Sequence, residues 1–273
     1  MASLKVWPGD GHPYTRTLNR APIAARLHIG TSGWHYKHWK GDFYPADLPS
    51  AQYLPWYVRH FKTVEINNCF YRLPAEAAVR NWREQTPDDF CFAVKGSRFI
   101  THLKRLLDAE AALATYLDRM ELLGPKLGPI LFQLPPNWRV NLERLETFLA
   151  ALPLNGHRYV FEFRDPSWYA DSVYQLLRQY GAALCLHDWR GEQSPKELTT
   201  DFTYIRFHGA TGKYQGNYSP AMLESWGENI CEWGQQLRDI YVYFNNDVGG
   251  HAIRNALELE KQLEPGHPEK RCA

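Results

Sequence analysis

The chain has 273 residues, a net charge of +1, 44% hydrophobic residues and 22% charged ones. That balance excludes extensive disorder, and the near-neutral charge removes the global basic footprint of a nucleic-acid or anionic-membrane binder. No uninterrupted apolar run approaches the ~18 residues of a membrane span, so no membrane partner is expected.

Residues 1–25 and 264–273 are polar, aperiodic and punctuated by Pro and Gly, and read as tails around a single domain, 26–263. Pro8, Gly9, Gly11 and Pro13 stand where a secretion signal would need an apolar stretch. The five cysteines, Cys69, Cys91, Cys185, Cys231 and Cys272, form no CxxC pair. They are expected to be free thiols in a reducing compartment, which makes the expected location cytoplasmic and the sequon at Asn217 a chance match.

In chain order, a strand at 26–31 is followed by a helix at 51–61, a strand at 63–67 and a helix at 75–85. A strand at 90–95 precedes a helix at 108–123, and a strand at 128–134 precedes a helix at 141–152 with Asn141 as N-cap. The strand at 158–164 leads into a helix at 170–180 that stops at Gly181, as a glycine after a helix end should. After the strand at 182–187, residues 189–202 have little helical periodicity and are expected to cross over irregularly. A strand at 203–208, a helix at 219–237 opened by Ser219 and Pro220, a strand at 240–245 and a helix at 250–263 complete the series.

Eight alternating units imply parallel pairing, in either a closed barrel or an open doubly wound sheet. Side-chain parity decides between them. Tyr159, Phe161 and Phe163 oppose Val160, Glu162 and Arg164; Thr203, Ile205 and Phe207 oppose Tyr204, Arg206 and His208. Val64 and Ile66 likewise oppose Glu65 and Asn67. One face is apolar and bulky, whereas the other turns polar toward the strand's C-terminal end. An open sheet covered by helices on both faces would need apolar residues at both parities. The expected fold is therefore a single (β/α)8 TIM-type barrel with a solvated mouth.

At these strand ends the sequence resembles the YecE-like family, a domain-of-unknown-function family (number 72). The resemblance rests on Ile29-Gly-Thr-Ser-Gly-Trp34, Val64-Glu-Ile-Asn67 with Phe70-Tyr71, and Phe92-Ala-Val-Lys95 with Ile100-Thr-His102. It continues through Leu131-Phe-Gln-Leu-Pro-Pro136, Phe161-Glu-Phe-Arg164 with Trp168, Arg206-Phe-His-Gly209 and Tyr243-Phe-Asn-Asn246. It covers about residues 26–263 and implies a TIM-type barrel. It implies no reaction, because the family has no established activity.

The inward set at the mouth is Ser32, Glu65, Asn67, Lys95, Gln133, Glu162, Arg164, His187, Arg206, His208 and Asn245. Glu162, Glu65, His187 and His208 are the candidate acids and bases. Lys95, Arg164 and Arg206, helped by Gln133, Asn67 and Asn245, are candidates for holding an anion. Lys95 would be a nucleophile if desolvated, but with two glutamates near it an ion pair is expected. Gly249 and Gly250, at a helix start after the last strand, are a second candidate anion site. Among the aromatics after strand ends, Trp34, Tyr36, Trp39, Phe70, Tyr71, Trp168, Tyr214 and Tyr218, packing is the commoner role; Trp34 and Tyr71 are the first candidates for ligand stacking. The glycine-rich 209–216 reads as a candidate lid.

These residues support three readings. The leading one is general acid/base chemistry on a small anionic, phosphorylated or sugar-like substrate. An alternative is a metal-dependent phosphodiesterase of the endonuclease IV-like type acting on nucleic acid, with Glu162, His187 and His208 as ligands of a divalent metal. No metal-spaced motif supports it, and no cofactor is expected. The third is an anion-binding protein without catalysis.

Overall fold

The computed structural model describes residues 23–153, 156–189, 192–212 and 214–264. Most of the two expected tails, with Cys272, and Lys213 of the glycine-rich loop lie outside the described residues. The strands are β1 (Arg26–Thr31), β2 (Thr63–Ile66), β3 (Cys91–Lys95), β4 (Leu127–Gln133), β5 (Tyr159–Glu162), β6 (Ala183–Trp189), β7 (Glu192–Gln193), β8 (Phe202–Phe207) and β9 (Asp239–Phe244). The α-helices are α1 (Tyr53–Tyr57), α2 (Glu76–Glu84), α3 (Glu110–Met120), α4 (Leu142–Ala151), α5 (Asp171–Gln179), α6 (Pro220–Trp233) and α7 (His251–Leu263).

Eight strands pair in parallel in the spatial order β1-β9-β8-β6-β5-β4-β3-β2. A parallel bridge between Ser32 and Glu65 brings the two ends together, so the sheet is a nearly closed (β/α)8 barrel. The caps read from sequence are in place. Asn141 accepts from the Arg144 amide at 2.9 Å, the Ser219 hydroxyl accepts from Met222, and Gly181 takes φ 62° behind α5.

The parity argument has a direct counterpart in packing. Ala93, Leu131, Val160, Ala183, Cys185, Tyr204, Tyr241 and Tyr243 form their own cluster inside the barrel. Val64, Phe92, Phe132, Phe161, Leu186, Ile205 and Val242 belong to the outer cluster between strands and helices. The interior is thus filled by small residues facing large tyrosines, which suits a barrel that must taper.

Two departures from the eight-unit pattern shape the mouth. Between β6 and β8 no α-helix forms among the described residues, as the weak periodicity of 189–202 suggests. Instead β6 runs on to Trp189 and β7 folds back antiparallel against Asp188 and Trp189. The returning segment lies along β6, with the Thr199 hydroxyl accepting from the Leu184 amide and donating to the Ala182 carbonyl.

The second departure is the β1–β2 seam. There the Tyr57 hydroxyl of α1 donates to the Thr63 carbonyl and accepts from the Thr31 amide, substituting for ladder bonds. A Cβ on Gly30 would stand 2.4 Å from the Thr63 carbonyl oxygen. Gly30→Ala is therefore expected to force the seam apart and cost about 1–3 kcal/mol of stability, measured by urea unfolding. An unchanged midpoint would show that the seam tolerates spreading.

The opposite end of the barrel is closed by Asp239, which is buried and takes Arg26, His28 and Arg158 as partners at 2.9, 2.9 and 2.7 Å. Cys69, Cys91 and Cys185 are free thiols. Cys231 is disulfide-bonded, which corrects the expectation of thiols throughout. Among the described residues no helix is long and apolar enough to cross a membrane.

Candidate functional site

The polar residues of the mouth fall into two layers. The lower layer is a fully buried ionic network. Arg206 of β8 donates one nitrogen to Glu162 of β5 at 2.6 Å and another to Glu65 of β2 at 2.8 Å. The second oxygen of Glu65 accepts from the Tyr204 hydroxyl at 2.6 Å. The second oxygen of Glu162 meets Arg164 and lies 3.3 Å from His208 Nε2. Glu65, Glu162 and Arg206 have no exposed surface. Burial alone would raise the Glu162 pKa, but Arg164, Arg206 and His208 hold the carboxyl well below the ordinary range.

His208 is tied into the same network. Arg164 Nη2 lies 2.7 Å from His208 Nε2. Nε2 thus sits between a guanidinium that can only donate and a Glu162 carboxylate oxygen, 3.3 Å away, that can only accept. On the other side of the ring, the Asn245 amide nitrogen Nδ2 lies 3.2 Å from Nδ1. Burial, with Arg164 beside it, drives the His208 pKa well below the ordinary histidine value. Its imidazole is neutral.

Above this layer opens a cavity of about 680 Å³. Lys95, Gln133, Arg164, His187 and Tyr71 line it, joined by residues the sequence reading did not assign: His102, Tyr169 and Trp189. Trp189 escaped notice because β6 extends two residues past the expected strand end. His102 sits in a π-helical turn, Phe99–Leu103, which has no pattern readable from sequence. Tyr204 shares the inward parity of Arg206, and that parity was the available signal for its bond to Glu65.

The cavity is lined by aromatic rings and cations. The Arg164 guanidinium carbon stands 4.3 Å from the centre of the Trp189 ring, and Lys95 Nζ stands 4.2 Å from that of Phe70. The expected ion pair of Lys95 does not form. Both glutamates are engaged by the two arginines, and among the described residues no carboxylate lies within salt-bridge distance of its ammonium. Burial, reinforced by Arg206, lowers the Lys95 pKa to about 8. Two carboxylates (Glu65, Glu162) against three cations (Lys95, Arg164, Arg206) leave one net positive charge among the buried groups, while a third carboxylate, the exposed Glu192, lines the cavity rim.

His187 adds an acceptor. Its Nε2 lies 3.1 Å from the Phe163 carbonyl, which can only accept, so Nε2 carries the proton and Nδ1 is a lone pair. The Tyr169 hydroxyl, 2.9 Å from Nε2, donates to the same carbonyl. Nδ1 is buried without a hydrogen-bond partner among the described residues, as are Asn67 Oδ1 and Arg164 Nε. Burial takes the His187 pKa down to about 4 against the opposing pull of Glu162.

Three expected ligand contacts lie elsewhere. Trp34 packs edge-on against Trp82 and Phe92, beside a separate cleft under α2. Gly249 and Gly250 form a turn rather than an anion cradle. A Cβ on Gly250 would stand 2.5 Å from an Asp42 carboxylate oxygen, and Arg254 pins that carboxylate at 2.7 Å while also meeting the Gly249 carbonyl. A negative group already faces this turn, so an anion would be repelled. Of the remaining aromatics, Trp39, Trp168 and Tyr218 are core and Tyr36 packs on Trp39. Phe70, Tyr71 and Tyr214 reach the cavity.

Glu162, His187 and His208 do not form a metal-ligand set. Glu162 is held by two guanidiniums, and among the described residues no three His, Cys, Asp or Glu side chains are placed to hold a metal ion. The donor arrangement does not fit the metal-dependent phosphodiesterase alternative.

A family model described as "Protein of unknown function DUF72" matches residues 28–271. The UPF0759 protein YecE of Escherichia coli (strain K12) is 34% identical over 81% of this chain and 87% of its own length. The UPF0759 protein YunF of Bacillus subtilis (strain 168) is 29% identical over 87% of this chain and 95% of its own. Among solved structures, a DUF72 family protein from Thermotoga maritima MSB8 superposes with a TM-score of 0.79 at 30% identity, covering 87% of this chain and 99% of that one.

Proposed function

The chain belongs to the DUF72 family, whose description assigns no activity, and on that premise we propose that its barrel mouth is an active site for a small anionic, sugar-like substrate. One observation carries this reading: a buried ammonium, Lys95, and a guanidinium, Arg164, border an aromatic-lined cavity, and the ammonium lies against Phe70 with the cavity's lining carboxylate, Glu192, out at the exposed rim. Burying a charge costs several kcal/mol unless it is paired. A mouth that only plugged the barrel would be better filled by a neutral side chain at position 95.

The roles then divide by layer. Glu65 and Glu162 fix Arg206 and Arg164, so they position cations. Lys95 and Arg164 bind the substrate anion and stabilise negative charge that develops during reaction. Proton transfer falls to Lys95, whose pKa burial lowers to about 8. Tyr71, Trp189 and Tyr214 offer ring faces to an apolar sugar or ring face.

Lys95→Met tests the reading with two opposed readouts. Affinity for lactate or inorganic phosphate, measured by titration calorimetry, is expected to fall at least about tenfold. Stability at neutral pH is expected to rise by on the order of 3 kcal/mol, because the pKa drop from 10.5 to about 8 measures the cost of keeping the ammonium buried. Unchanged affinity would remove Lys95 from the ligand site. Saturable binding without turnover of any substrate would mark a binding protein instead of an enzyme.

A further inference from the structure

We propose that Lys95 is the nucleophilic amine of an imine-forming site, and that its partner is the carbonyl carbon of a small oxo compound whose carboxylate or phosphate is held by Arg164. The inference rests on the anionic-substrate reading and goes one step deeper, to bond formation at Nζ. Four observations converge on that atom. The side chain ends at the cavity wall and is only 8% exposed. Its nitrogen lies against the face of Phe70, not against a carboxylate. A second cation, Arg206, lies in the layer beneath it, and a third, Arg164, borders the same cavity to anchor an anion. An amine desolvated among other cations is the arrangement that keeps a lysine nucleophilic near neutral pH.

The balance of the step is simple. The ammonium first loses one proton to solvent, which a pKa of about 8 permits without a dedicated base. The nitrogen lone pair then attacks the carbonyl carbon; the C–N bond forms, the carbonyl oxygen takes up a proton and the nitrogen gives one up, leaving a neutral carbinolamine. Protonation of its hydroxyl and departure of one water leave a cationic imine. No oxidant or reductant is consumed. The iminium keeps the positive charge of the lost ammonium, so the Phe70 face and the two buried glutamates stabilise both species. It also draws electrons from the adjacent carbon.

The experiment is hydride trapping on the full chain. Protein is incubated with pyruvate, or in a second arm with dihydroxyacetone phosphate, in the presence of cyanoborohydride, and then digested and mapped by mass spectrometry. Lactate affinity is measured in parallel, since lactate carries the anion but no carbonyl. The expected result is one reduced adduct at Lys95, about tenfold above any other lysine, with labelling that rises as pH passes through about 8. The more efficiently trapped arm tells carboxylate from phosphate. Lys95→Arg is expected to keep lactate binding and lose the adduct; if that variant does not fold, the wild-type map alone decides. Lactate binding with labels spread evenly over surface lysines overturns the imine and leaves the anion reading standing. A Lys95 adduct without lactate binding supports the amine and overturns Arg164 as its anchor. Neither adduct nor binding overturns both.

Discussion

Replacing Arg206 by methionine is expected to lower the unfolding free energy by about 3–5 kcal/mol, the usual cost of stranding a buried charge. Arg206 has no exposed surface and donates to Glu65 at 2.8 Å and to Glu162 at 2.6 Å. Burial works against its charge, but the two carboxylates hold its pKa well above the ordinary arginine value. Without it the two glutamates do not suffer equally. Glu162 keeps Arg164, whereas Glu65 keeps only the Tyr204 hydroxyl. Adding Glu65→Gln to Arg206→Met should therefore recover more stability than adding Glu162→Gln, which strands Arg164 as well. Urea unfolding of the single and double variants measures this directly. Equal recovery from both would mean that Arg164 does not neutralise Glu162.

The second large effect is loss of stability in mild acid. His187 takes a proton near pH 6.5 in the unfolded chain but only near pH 4 in the fold. As pH falls from about 7 to 4, the unfolded state therefore gains the proton first and is favoured. The drop corresponds to roughly 3 kcal/mol for this buried group, and His208 shifts in the same direction. Glu162, whose folded pKa is depressed, contributes stability above its unfolded value and loses it at still lower pH. Unfolding free energy measured between pH 7 and 4 should decline steadily, and His187→Gln should flatten part of that decline. A flat profile in the wild type would show that His187 is not held neutral.

Much of this architecture was legible from alternation alone. In β8 the parity of Thr203, Ile205 and Phe207 against Tyr204, Arg206 and His208 separated the helix-facing side from the interior before any pairing was known. It did so because a strand in a barrel has only two directions for a side chain. Parity places Glu65, Glu162 and Arg206 on one surface but does not say which partners they take. That depends on strand stagger, which puts Glu65 and Glu162 on opposite sides of one guanidinium and leaves Lys95 on Phe70 instead.

The same limit explains the misplaced contacts. Trp34 directly follows a strand, yet the chain turns outward at Gly33, φ 97°, and its ring packs under α2. Gly249-Gly250 has the composition of an anion cradle, but Asp42, some 200 residues away in sequence, faces it. Trp189 and His102 were hidden because one lies on a strand extension stabilised by the β7 hairpin and the other on a single irregular turn. Each is a tertiary decision that local pattern cannot encode.

The most direct test of the anionic-substrate reading is the anomalous difference density of a crystal soaked in selenate. An anion attracted by the two cations of the cavity wall should give a peak inside the cavity between Lys95 Nζ and the Arg164 guanidinium, and Lys95→Met should abolish it. Selenate bound at other basic surfaces, with no peak between those two cations, would contradict the account.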